Sequence, residues 1–65
     1  MELQLLALLD RKLGERETEL IEFLSRGGAS SYDGYKEVCG QIRGLQAARL
    51  EIADLVRRVK ENEDE

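Results

Sequence analysis

The sequence has no histidine, no proline and no tryptophan, and its one cysteine is Cys39. Each gap excludes something. A lone thiol cannot close an intrachain disulfide, and a thiol without imidazole lacks the ligand set of a structural zinc site. A nucleophilic cysteine also needs a base and a group to orient it, and Lys36 alone is weak support. Cys39 therefore reads as a small buried apolar residue and the chain as no enzyme. No glycine-rich phosphate loop follows a strand, so no nucleotide cofactor is expected, nor any other cofactor or metal. No apolar run approaches the roughly 20 residues of a membrane span. The apolar opening, residues 1–10, lacks a basic start and a small-residue cleavage site, so it reads as helix rather than signal peptide. With one free thiol, that suggests a reducing compartment.

What remains is charge and good helix formers. Asp, Glu, Lys and Arg make up 37% of the 65 residues, and aromatics are limited to Phe23, Tyr32 and Tyr35. That mixture fits long helices better than a sheet. The net charge is −4, and four of the acids lie in the last six residues. This balance argues against a protein that lives on nucleic-acid phosphates. A chain this short makes one domain and buries a modest core, so oligomerisation or docking must supply further stability.

Hydrophobic spacing predicts an all-α antiparallel helical hairpin: a helix over 2–26, a turn over 27–30, a helix over 31–60 and an acidic, frayed tail over 61–65. In the first helix Leu6, Leu9, Leu13, Leu20 and Phe23 form a heptad seam with a gap at Arg16. Leu5, Ile21 and Leu24 widen it, and Gly14 interrupts it mid-helix. Gly27 and Gly28 close the helix. Ser30 or Ser31 caps the next one, with Asp33 three residues after Ser30. The second seam is Tyr35, Val38, Ile42, Leu45, Arg49, Ile52, Val56 and Val59. A turn of about four residues makes the helices antiparallel. A hairpin centred at Gly28 and Ala29 sets Leu20 opposite Val38, Leu13 opposite Leu45 and Gly14 opposite Gly44.

Three features are candidate partner interfaces. Gly40, Gly44 and Ala48 form a small-residue ridge that either accommodates the first helix or contacts another protein. Arg16 and Arg49 interrupt the seams, either by snorkelling or by pairing with a partner chain to fix register. Tyr32 and Tyr35 sit beside the turn, as end caps of the core or as binding contacts. Arg57, Arg58 and Lys60 form a short basic patch, read as compensation of the helix dipole or as a weak phosphate contact. The acids Glu15, Glu17, Glu19 and Glu22 fall mainly on the solvated side of the first helix.

The stretch over 27–48 carries a Gly-Gly turn, an aromatic start to the second helix and the run Gly40-Gln-Ile-Arg-Gly-Leu-Gln-Ala47. It resembles short proteins encoded among tailed-bacteriophage structural genes. The resemblance implies a virion-associated component of the phage head, docked on a larger capsid or portal protein and present in the host cytoplasm during assembly. The alternative is a small cytoplasmic adaptor or regulator, a host-takeover or antitoxin-like binder, using the same helix faces on a soluble partner. Self-association of the hairpin fits either setting.

Overall fold

The computed structural model describes residues 2–64, which form two α-helices: α1, Glu2–Ser25, and α2, Tyr32–Asp64. They lie antiparallel in a rod of 52 × 15 × 12 Å. At about 1.5 Å per residue, the 33 residues of α2 span the whole rod by themselves. The expected all-α hairpin is the architecture found. Its second helix is longer than expected: residues 61–64, assigned to a frayed tail, continue α2 as far as Asp64. No glycine or proline lies there to stop it. Glu65 lies outside the described residues.

The end of α1 follows from two glycines. Gly27 takes φ +75°, a conformation glycine adopts without a Cβ penalty. Its N–H donates to the Leu24 carbonyl at 3.0 Å, and the Gly28 N–H donates to the Phe23 carbonyl at 2.9 Å. This pair of bonds is the Schellman closure of a helix. Gly28 is required for a separate reason, because the Phe23 ring and carbonyl leave no space for a side chain there. α2 is capped by Ser31, whose Oγ accepts from the Gly34 N–H at 3.0 Å. Of the two serines considered, Ser31 is therefore the cap. Asp33, in the first turn of α2, lies one residue short of the capping-box position and acts only through the helix dipole.

The seam of α2 is as expected from Val38 to Val59, with Ile52 its most buried member. Tyr35 is the exception and stands half in solvent. The seam of α1 is a correction. Leu3, Leu6, Asp10, Leu13, Glu17, Leu20 and Leu24 turn inward, whereas Leu9 and Phe23 are exposed. Both phases share Leu6, Leu13 and Leu20. The expected phase would have set the Arg16 and Arg49 cations in one seam. The phase adopted instead presents Asp10 and Glu17 to Arg49.

The register is corrected as well. Gly14 lies against the Arg49 guanidinium rather than Gly44, five positions further along α2. Leu6 shares its groove with Val56, and Asp10 with Ile52. The displacement carries the first turns of α2 past the end of α1. Tyr32 and Tyr35 project there.

Little of the chain is buried. Leu20 and Ile52, at 8% and 7% exposure, are the buried apolar residues among those described. The radius of gyration is 15.3 Å, against about 11 Å for a compact domain of this length. The chain exposes 5215 Å², about 1,000 Å² more than a compact protein of its mass.

Gly40 and Gly44 have open space where a Cβ would stand. Each weakens α2 without serving its contact with α1. Gly40→Ala is expected to stabilise the isolated chain by about 1 kcal/mol. Urea denaturation followed by circular dichroism measures it; a loss of stability would show that the position is already covered.

Candidate functional site

The most organised side-chain cluster joins the two helices at mid-length. Arg49 donates from Nε to Asp10 Oδ1 at 2.9 Å and from Nη2 to Asp10 Oδ2 at 3.4 Å. Its Nη1 donates to Glu17 Oε1 at 3.2 Å. Gln46 Nε2 donates to Glu17 Oε2 at 3.1 Å. One guanidinium thus ties two carboxylates seven residues apart on α1. Gly14 makes the arrangement fit, since a Cβ at that position would stand 3.1 Å from Arg49 Cζ.

Chemically the cluster is closed: every carboxylate oxygen has a donor, and the guanidinium spans both acids. Its effect is positional. It can form in only one register, as polar seam residues do in coiled coils. Of the two readings of Arg49, the ion pair is what forms, with acids of its own chain rather than a partner's. Arg16 does not enter the seam; it lies exposed and pairs with Glu19 at 3.1 Å.

Asp10 and Glu17 were missed by sequence reasoning. Glu17 was assigned to the solvated side, and Asp10 had no assigned role. The available signal was the arginine in the α2 seam, which required acids at matching levels of α1.

The hydrogen bond from Arg49 holds the Asp10 carboxyl below its ordinary range, partly opposed by desolvation. Asp54 is lowered chiefly by its hydrogen bond from Arg57, and its other oxygen pairs with Arg58 at 3.0 Å. A carboxyl with a depressed native pKa favours the folded state above its unfolded pKa. That contribution is lost as pH falls through the native value. The melting midpoint is therefore expected to be flat near neutrality and to fall below about pH 4. A circular dichroism melting series from pH 2 to 7 checks this; a midpoint that rises on acidification contradicts it.

The remaining candidates lie on the surface. Gly40 and Gly44 are exposed and do not receive α1; Ala48 is half-buried at the seam's edge. Tyr32 and Tyr35 stack with ring centroids 6.5 Å apart. Lys36 Nζ lies 5.5 Å from the Tyr32 ring centroid. Hydrogen bonding with Cys39 is the largest of the influences raising the Tyr35 pKa. The tyrosine pair is thus an ordered aromatic knob beyond the end of α1, and Cys39 is half-buried beneath it. Arg57 and Arg58 both pair with Asp54. They sit inside α2, not in its last turn.

Many large apolar side chains lie outside the seam. Leu5, Leu8, Leu9, Ile21, Phe23, Leu50 and Leu55 are exposed besides the tyrosines. Among the described residues, no helix is long and apolar enough to cross a membrane. No group of three or more Asp, Glu or Cys side chains among them could hold a metal ion. Comparison with family models, with curated proteins and with solved structures finds no match to this chain.

Proposed function

We propose that the chain is a non-enzymatic protein-binding hairpin, an accessory component of a phage head that docks on a larger capsid or portal protein through its uncovered helix faces. The observation that carries the binding role is the imbalance, among the described residues, between two buried apolar side chains and nine exposed large ones. Apolar surface left in water on that scale favours association. The phage setting rests on the resemblance of residues 27–48. The Gly40 position suits a docking contact, because a partner helix could approach its bare backbone closely.

The test is a protein gel of purified, washed virions, with Gly40→Leu as the variant. The hairpin is expected in particles and the variant is expected to be depleted from them, while retaining its helical dichroism. A chain absent from washed particles but recovered in a soluble complex would overturn the virion role in favour of the adaptor reading.

A further inference from the structure

We infer that one flank of the hairpin is covered by a second copy of this chain, giving a two-fold, four-helix bundle in which α1 of each copy packs on α2 of the other at the same level. The inference rests on the reading that the exposed faces are covered by protein, and it names the molecule that covers one of them.

The two flanks of the seam differ. One is marked by a groove in which Arg16, Glu19, Glu22, Phe23 and Arg26 face Val38 and Gln41, with Arg16 and Glu19 paired to each other. Following helical spacing along it adds Leu5, Leu9 and Lys12 from α1 and Glu37, Glu51 and Leu55 from α2. The other flank, lined by Asp10, Glu17, Gln46, Leu50 and Ala53, adds Arg11, Lys36, Arg43, Asp54, Arg57 and Glu61 by the same spacing, and Asp10, Glu17 and Asp54 are already paired within the chain.

On the first flank the charges match under one symmetry. With the two-fold axis parallel to the helices, Lys12 meets Glu51 of the other copy, and Arg26 meets its Glu37. Each pair forms twice. Among the described residues none of these four side chains has an ion-pair partner. Leu9 then meets Leu55 across the interface. With the axis perpendicular to the helices, Lys12 would meet Arg16 instead. The parallel-axis arrangement also makes every neighbouring pair of helices antiparallel, the up-down-up-down order of a four-helix bundle.

The area agrees. Two separate chains expose twice 5215 Å², whereas a compact protein of their joint mass exposes about 7,000 Å². A dimer packed to that compactness would bury about 3,400 Å² in total, the scale of an obligate homodimer.

Light scattering on the size-exclusion eluate of the purified chain, with its charge-reversal variants, tests the arrangement. The chain is expected at twice 7.4 kDa. Lys12→Glu is expected to weaken dimerisation about tenfold, and Lys12→Glu with Glu51→Lys to restore it. These positions are exposed, and circular dichroism confirms that each variant folds. A chain at 7.4 kDa at high micromolar concentration overturns the inference. So does a dimer indifferent to Lys12→Glu, or one not rescued by the double reversal. Virion incorporation is scored separately, on washed particles, and can succeed where the dimer fails.

Discussion

Ile52→Ala is expected to unfold the hairpin, removing most of the helical signal at 222 nm at 25 °C, while Leu50→Ala changes it little. The two positions are nearly adjacent on α2 and differ in burial: Ile52 is 7% exposed and Leu50 is 72% exposed. Truncating a buried isoleucine to alanine costs about 2–5 kcal/mol. A domain of this size rarely has more than about 3–5 kcal/mol in total. Ile52 is also one of two buried apolar side chains among the described residues, which leaves little core to take over its contacts. Far-UV dichroism across a thermal scan decides the matter. A cooperative transition in Ile52→Ala matching the parent would mean that stability resides elsewhere than in the seam.

The second large effect concerns the Arg49 cluster, and its direction depends on how many members are replaced. Arg49→Leu alone leaves Asp10 and Glu17 facing the seam without their shared cation, and should lower the melting midpoint markedly. Replacing all three residues with leucine should raise it above the parent. Exchanging an ion cluster for apolar side chains removes a desolvation cost and fills the seam, whereas removing one member strands the others. The triple variant should also lose uniqueness, because nothing polar then distinguishes one register from its neighbours. Thermal melting gives the first result, and the number of backbone amide signals per residue in a ¹H–¹⁵N correlation spectrum gives the second. A triple variant that melts below the parent would assign the cluster a role in stability rather than in register.

Much of this arrangement is legible in the sequence, and the parts that are not share a cause. Val38, Ile42, Leu45, Ile52, Val56 and Val59 read directly as a seam because no competing stripe runs beside them. Gly27 and Gly28 announce the end of α1 because only glycine suits both the backbone conformation and the crowding by Phe23. The first seam was ambiguous because Leu9 and Phe23 offer as good an apolar stripe as the one adopted. What settles its phase is the position of Arg49, more than thirty residues away in the chain, and local periodicity carries no such information.

The register error has the same origin: counting from the turn assumes helix ends that are flush, whereas α2 runs past α1 and leaves Tyr32 72% exposed. Ser31 rather than Ser30 is the cap for a reason of a single bond, the one from Gly34. At the candidate interface, the sequence left open whether Gly40, Gly44 and the tyrosines serve the hairpin's own core or a partner, and all four are exposed. It misjudged Arg49, whose partners are Asp10 and Glu17 of its own chain.

Melting the purified chain at protein concentrations spanning a thousandfold range is the most direct measurement. If association completes the fold, the midpoint rises steadily with concentration, since mass action favours the assembled, folded species. A sharp transition at high temperature whose midpoint is independent of concentration, from a species of 7.4 kDa, would show that the hairpin is sufficient by itself.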